Sequence, residues 1–283
     1  MTDISVVVII RNEEDFILDC LKAILSQSIS DFELIAVDDN SQDETGDIIK
    51  GIDDRRIKYF RNGKHLGIPA SRNKGVQLAK GKYIFFTDAD CLPHKDWLKE
   101  GLNAFCNQEC IGVEGRTFSL TPVPCLSDRI RYNLTANHLM TCNIAYRAEV
   151  LNKIGGFNPR YPYSHEDGDL ALRAMKYGKI GSCLDMLVFH RTKKWTARTL
   201  LLDARRARDS VRFIKEHNFK RLTRYCILYP MNVVYIFFPF LIPFHYRMVK
   251  WTDFKLLPVF YLRLLYQRIL IWKEAVKERI FLL

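Results

Sequence analysis

Lys82-Tyr-Ile-Phe-Phe-Thr-Asp-Ala-Asp-Cys91 is a short apolar run, rich in aromatic and β-branched residues, that ends in two carboxylates one residue apart. The run predicts a buried strand delivering Asp88 and Asp90 to its C-terminal edge. In an open α/β sheet ligands bind beyond the carboxyl ends of the strands, so two acids there can present oxygens to a hard divalent cation, and through it to a diphosphate. The spacing alone also suits a solvated turn, or a cap on a helix starting near His94.

Upstream, Ile4-Ser-Val-Val-Val-Ile-Ile10 fits a central parallel strand, broken by Arg11-Asn-Glu-Glu14. Phe16, Ile17, Cys20, Leu21, Ile24 and Leu25 follow helical spacing, and Phe32–Val37 returns to strand before Asp38-Asp39-Asn40-Ser41. The alternation continues with a helix over Thr45–Ile52, a strand over Ile57–Phe60 and a helix over Pro69–Ala79 opened by Gly67. A parallel sheet with right-handed crossovers then places Ile10, Asp38 and Asp39, and Asp88 and Asp90 along one rim. The plain alternative is that Asp38 and Asp39 only cap the next helix.

Downstream, Trp97–Phe105 reads as a helix and Ile111–Phe118 as a strand. The stretch from Thr121 to Thr141 contains Pro122 and Pro124 and has no clean period, which predicts a loop with one helix around Asp128–Asn137. Asn143-Ile-Ala-Tyr-Arg147, Gly155-Gly-Phe157 and His165-Glu-Asp-Gly-Asp-Leu-Ala-Leu-Arg173 follow. The last begins polar and becomes a helix through Lys176, so Glu166, Asp167 and Asp169 sit at an N-terminus, where the helix dipole favours negative charge. An acid there serves as a general base or as a cap.

From Ile4 to His190 this order of elements resembles the nucleotide-sugar-dependent glycosyltransferases of family 2, which have the GT-A fold. Six features carry the resemblance: Arg11-Asn12-Glu13 after the first strand, Val37-Asp-Asp-Asn-Ser41, Ser71-Arg-Asn73, Asp88-Ala-Asp90, Gly155-Gly-Phe157, and Glu166-Asp167 followed six residues later by Arg173. The resemblance implies a donor-binding set of Glu13, Asp39, Arg72, Asp88 and Asp90, in which Asp39 accepts a hydrogen bond from a uracil or guanine base. It implies a Mn²⁺ or Mg²⁺ held by Asp90, Asp88 and His190, with Asp167 as the catalytic base. Asn143, Glu166 and Arg173 would fall on the acceptor side or in supporting positions. The chain departs from the common pattern at Arg11, where many relatives carry an aromatic residue, and at Thr141-Cys142, where a glycine is frequent.

Residues 1–190 hold 23 Lys+Arg against 26 Asp+Glu, a net −3, while residues 191–283 hold 20 against 6, a net +14. The overall +11 therefore belongs to the tail, which suits nucleic acid, anionic lipid or a phosphorylated substrate. Its charges are mixed with long apolar runs rather than with a stacking platform, which argues against nucleic acid. Eight cysteines (positions 20, 91, 106, 110, 125, 142, 183 and 226) form no CxxC pair, and Cys106 with Cys110 lacks a second pair at zinc-site spacing. They read as reduced, mostly buried thiols. The short apolar run after Asp3 is wrongly flanked for a signal peptide, so the catalytic part is expected to face the cytosol.

Three regions follow: a GT-A domain over 1–190, a basic lid or helix region over 191–224, and a membrane-associated region over 225–283. In the second, the first part, from Arg191-Thr-Lys-Lys-Trp195, suits a lid closing on a diphosphate, while Arg198, Arg205, Arg206, Arg208 and Arg212 of the helix that follows equally suit a solvated face. Cys226–Tyr246 is long enough to cross a bilayer core of about 30 Å. Pro230, Pro239 and Pro243 interrupt it, however, and Arg221, Arg224, Arg247 and Lys250 flank both ends, which predicts a broken, re-entrant or interfacial element. Leu256–Leu283, with Arg263, Gln267, Arg268, Lys273 and Lys277, has the pattern of a basic amphipathic helix on an anionic membrane, or of a helical subdomain or dimer interface.

The expectation is an inverting glycosyltransferase on the cytoplasmic face of a membrane, peripheral or monotopic, moving sugar from a UDP- or GDP-sugar to a glycan or lipid-linked acceptor. The alternatives are synthesis of a polyprenyl-phosphate sugar, or a non-enzymatic nucleic-acid-binding or scaffold protein.

Overall fold

The computed structural model describes residues 2–105, 109–121, 127–129, 132–218, 223–224, 227–245 and 251–282. The chain divides into two compact units, one of residues 1–120, 131–162 and 166–191, the other of residues 121–130, 163–165 and 192–283.

The first unit is built on an eight-stranded sheet. In chain order its strands are β1 (Ile4–Ile10), β2 (Glu33–Asp38), β3 (Ile57–Arg61), β4 (Tyr83–Asp88), β5 (Cys91–Pro93) and β6 (Cys110–Ser119). After β7 (Asp128–Arg129), which belongs to the second unit, come β8 (Ile144–Arg147) and β9 (Lys179–His190). Their spatial order is β3-β2-β1-β4-β8-β6-β9-β5. The first four run parallel, as alternating strands and helices require. Beyond β4 the sheet is mixed, because β8 lies antiparallel to both β4 and β6.

The β-branched run of β1 is buried on both faces. Val6, Val8 and Ile10 enter one core with Ile17, Leu21 and Ile24 of helix α1 (Ile17–Leu25). Val7 enters the opposite core with Val76, Phe157 and Leu170. Helices α2 (Thr45–Lys50), α3 (Ile68–Leu78), α4 (Trp97–Asn103), α5 (Ala148–Lys153) and α6 (Glu166–Ala174) connect the strands. The period-2 alternation thus sorts one strand between two apolar layers.

The helix expected around Asp128–Asn137 does not form among the described residues. Asp128–Arg129 pairs antiparallel with β10 (Lys193–Lys194). Asn133 makes an isolated bridge with Thr117, with N–H···O distances of 2.8 Å in both directions. Its side chain is fixed as well, Nδ2 donating to Glu114 Oε1 at 2.8 Å. Ala136 and Leu139 have φ of 51° and 59°, left-handed values that end a right-handed helix wherever they occur. Pro122, Pro124 and Cys125 lie outside the described residues.

The second unit is helical: α7 (Ala197–Asp203), α8 (Arg206–His217), α9 (Pro230–Phe237), α10 (Ile242–His245) and α11 (Trp251–Glu278), with short strands β11 (Thr223–Arg224) and β12 (Ile227–Leu228) paired to each other. Tyr235, Ile242, Phe260 and Leu264 form one core with Leu200, and Val211, Leu228, Ile271 and Ala275 form another. The apolar stretch predicted to be broken is broken: α9 stops at Phe237 and a 3-10 turn over Pro239–Leu241 precedes α10. Cys226, Tyr246, Arg247, Lys250 and Arg221 lie outside the described residues. Among those described, no helix is long and apolar enough to cross a membrane. Of the arginines expected on a solvated helix face, Arg208 and Arg212 are held by the protein itself. Both ion-pair with the buried Glu274 of α11, at 3.0 and 2.8 Å.

Candidate functional site

β2, β1 and β4 are parallel neighbours, so their C-terminal ends lie side by side, with Ile10 opposite Asp38 and Ile9 opposite Asp88. The turn after β1 is shaped by Asn12 at φ 53°, whose Oδ1 accepts from Gln42 N at 2.8 Å while its N–H donates to Ser41 Oγ. Glu13 N donates to Thr45 Oγ1 at 2.8 Å. Both contacts tie the end of β1 to the loop after β2, so the first two acidic segments form one rigid edge.

Asp38 and Asp39 have separate tasks. Asp38 is fully buried, accepting Ser41 N at 2.7 Å and Tyr59 Oη at 2.6 Å. Asp39, at 5 % exposure, accepts the backbone N–H groups of Leu66 and Gly67, each at 2.8 Å, and Asn62 Nδ2 at 2.9 Å, with His65 Nδ1 at 2.6 Å. Burial pushes its carboxyl up, and these donors outweigh burial and hold it below the ordinary carboxylate value. The donors also draw the Asn62–Gly67 segment against the end of β2.

Arg72 is the hinge of the site. Its guanidinium, 4 % exposed, donates Nη2 to Asp88 Oδ1 at 3.1 Å and Nη1 to Glu166 Oε1 at 2.8 Å, and lies over the Phe157 ring. Burial works against its charge; Asp88, Glu166 and Asp167 outweigh burial and hold it above its ordinary value. One cation thus joins the rim of β4 to the start of α6. Glu166 is pushed up by burial and by Asp167 beside it, against the pull of Arg72. Asp167, half-buried, accepts its neighbour Gly168 N on Oδ1 at 2.8 Å. Its Oδ2 has no hydrogen bond among the described residues.

Three of the motif residues brace the scaffold. Asn73 clamps Phe157 from both sides, Oδ1 accepting Phe157 N at 2.7 Å and Nδ2 donating to Phe157 O at 2.8 Å. Arg173 donates to Ile154 O and Gly156 O at 2.8 Å and pairs with Asp169. Asn143, expected on the acceptor side or in a supporting position, is fully buried, accepting from Trp97 Nε1 and donating to Arg116 O and Met186 O. An amide with every polar atom satisfied inside the protein fixes strands.

At the other end of the rim, Asp90, Cys91 and His190 bring one ligand atom each within 4.8 Å of one another. His190 Nε2 lies 3.4 Å from Asp90 Oδ1, and its Nδ1 faces Arg191 O at 2.8 Å, which fixes the ring. A carboxylate and an imidazole suit Mn²⁺, and the buried thiol Cys91 is a softer donor that the sequence reading did not include. Asp88 is absent from this triad, since one of its oxygens is held by Arg72. The donor chemistry fits a divalent cation centred on Asp90 and His190.

Glu114 was not foreseen. It is 1 % exposed in the middle of β6, with Oε1 accepting Asn133 Nδ2 at 2.8 Å and Met140 N at 2.7 Å and Oε2 buried without a partner among the described residues. Tyr146 Oη, on the adjoining strand β8, is likewise buried with no partner among the described residues. Burial pushes the Glu114 carboxyl up, and Asp167 adds to the effect.

Residues 5–155 match the family described as Glycosyl transferase family 2. A UDP-Glc:alpha-D-GlcNAc-diphosphoundecaprenol beta-1,3-glucosyltransferase (WfaP) of Escherichia coli is 30 % identical over 182 residues, spanning 62 % of this chain and 71 % of that protein. Among solved structures, S. aureus TarS 1–349 in complex with UDP-GlcNAc superposes with a TM-score of 0.60 at 16 % identity, over 99 % of this chain and 93 % of that one. The mannosyltransferase PcManGT of Pyrobaculum calidifontis, in complex with GDP-Man and Mn²⁺, gives 0.59 at 17 % identity, over 97 % and 75 %. At such identities the likeness speaks for the fold, and it agrees with the GT-A architecture that the order of elements implied.

Proposed function

The chain belongs to glycosyl transferase family 2, and on that premise we propose that this glycosyltransferase moves a sugar from a UDP- or GDP-sugar to a glycan or lipid-linked acceptor with inversion at the anomeric carbon. The observation carrying this reading is Arg72, which joins Asp88 of the donor rim to Glu166 beside Asp167, so that donor and base belong to one rigid cluster. The bound nucleotide and metal of the solved neighbours support the donor class.

In the proposed reaction the acceptor oxygen attacks the anomeric carbon as the bond from that carbon to the diphosphate breaks. Asp167 takes the hydroxyl proton on its unpaired oxygen, and the nucleoside diphosphate leaves. A carboxylate suits this task because it only has to accept a proton from an alcohol as bonding develops. Asp90 and His190 would hold the divalent cation, with Cys91 beside them. When bound, that cation offsets charge developing on the leaving diphosphate. Glu166 and Asp88 keep Arg72 in place, and Asp39 with Glu13 shapes the nucleoside end.

The Escherichia coli relative acts, by its name, on a sugar linked to diphosphoundecaprenol. An acceptor of that kind is most easily reached by an enzyme lying on the bilayer, so we place the chain at the cytoplasmic face of a membrane as a peripheral or monotopic protein.

Calorimetric titration with UDP- and GDP-sugars, with and without Mn²⁺, tests the donor. One donor should bind in a metal-dependent way, and Asp90→Ala should abolish the dependence. Asp167→Asn should lower turnover about 10²–10⁴-fold while leaving donor affinity unchanged. Equal loss of binding and turnover would remove Asp167 from the base role. Full turnover of Asp167→Asn with a polyprenyl phosphate would favour synthesis of a polyprenyl-phosphate sugar, whose acceptor is already ionised.

A further inference from the structure

We propose that the outer face of α11 is a docking surface for an anionic lipid bilayer, on which the helix lies flat in the headgroup region. The proposal rests on the membrane-facing reading above, and names the element and the lipid class.

α11 departs from an ordinary surface helix, which turns charges of both signs outward and keeps its large apolar groups on the inner face. All its acids face inward. Asp253, Glu274 and Glu278 are 0, 2 and 7 % exposed. Asp253 accepts Ser127 N at 2.9 Å, Glu274 takes Arg208 and Arg212, and Glu278 takes Lys215 at 2.9 Å. Besides Phe260, Leu264 and Ile271, which pack in the helical cores, a second set of large apolar groups faces water. Trp251, Leu262, Ile269, Trp272 and Val276 are 74, 55, 45, 50 and 80 % exposed. At 3.6 residues per turn these five fall within an arc of about 80° and extend over about 37 Å. Scattered exposed apolar residues are ordinary, but a stripe of this length marks an interaction surface.

The charge beside the stripe selects the partner. Lys255, Lys273 and Lys277 are exposed along one edge of it, and the acid of α11 nearest them, Glu274, is buried and reaches Lys277 at 3.7 Å. In a pair of copies packed through this face, two lysine rows would meet with only the Lys277–Glu274 pair, 3.7 Å apart, to offset them. A bilayer with anionic headgroups takes up the apolar stripe and neutralises the lysines together. The same unit also exposes Phe237, Phe238 and Phe240 where α9 breaks, at 73, 50 and 63 %.

The test is flotation of the full chain with vesicles of phosphatidylcholine alone or mixed with phosphatidylglycerol, with solution mass measured by light scattering. Binding should be confined to the anionic vesicles and fall with salt. Lys273→Glu with Lys277→Glu should weaken it about tenfold or more, and Trp272→Glu with Val276→Glu should abolish it. Unchanged melting and donor binding would show that these outward changes leave the fold intact. No flotation with anionic vesicles overturns the proposal, as does a dimer that Val276→Glu dissociates. Vesicle binding that persists in a protein binding no nucleotide sugar would leave the docking surface standing and remove the donor reading, so the two fail separately.

Discussion

Glu114 sits in the middle of a strand with one oxygen held by Asn133 and Met140 and the other without a hydrogen-bond partner among the described residues. A buried carboxyl in that state is better accommodated neutral, which agrees with its upward shift. When folding raises an acid's pKa, the native chain holds the proton more tightly than the unfolded one. The stability this contributes is complete below the unfolded value and is lost as pH rises through the folded value. Glu114→Gln keeps the accepting oxygen and removes the charge. Its melting temperature should therefore match the parent in mild acid and exceed it above neutrality, by about 2–4 °C for each kcal/mol recovered. A constant offset across pH would mean that Glu114 stays ionised. At this scale the rim acids were legible because Asp39, Asp88 and Asp90 each follow an apolar run, where a strand must end. Glu114 interrupts such a run, and its partners come from Asn133 and Met140, whose approach no local pattern encodes. Asn143 was legible only as a residue the resemblance implied, since its buried hydrogen bond comes from Trp97 in a distant helix.

Among the elements, α3 carries both Arg72 and Asn73 of the site, and Gly75 brings it against the sheet. A Cβ at Gly75 would lie 2.3 Å from Val7 Cγ1, in the central strand. Gly75→Ala should therefore destabilise the protein by about 1–3 kcal/mol despite the better helix propensity of alanine, as read by thermal melting. It should also lower donor affinity, since displacing α3 moves Arg72 from Asp88. A melting temperature above the parent's would show that β1 and α3 yield without strain. Periodicity carried nearly all of these elements: β1 to β4 and α1 to α3 fall within a residue or two of where apolar spacing put them. It gave no clean pattern around Asp128–Asn137, where Asp128–Arg129 pairs with Lys193–Lys194 and Asn133 with Thr117. It also could not tell that Arg208 and Arg212 meet Glu274, because helical spacing gives the face of a residue and not its partner.

Over the whole molecule, the split between a nearly neutral first part and a strongly basic remainder was visible in composition. The sorting within the remainder was not. Its six acids look, in sequence, like ordinary solubilising charges, yet those on α11 face inward to arginine, lysine and a backbone amide. Sorting of this kind depends on which helices pack together, and only the fold supplies that.

The first unit also encloses Cys20, Cys91, Cys110 and Cys142 as buried free thiols, with Cys183 half-buried. Burial pushes Cys20 and Cys91 up, the neighbouring rim acids adding to it, and a thiol reacts only as thiolate and only where a reagent reaches it. The protein therefore carries its own stopwatch. Under a pulse of iodoacetamide read peptide by peptide, Cys183 should label early, and Cys20 and Cys91 only as fast as the sheet rim opens. A nucleotide sugar that grips the rim should slow the hands at Cys20 and Cys91 and leave Cys183 running. Labelling of all five at one rate would mean that the unit opens all at once.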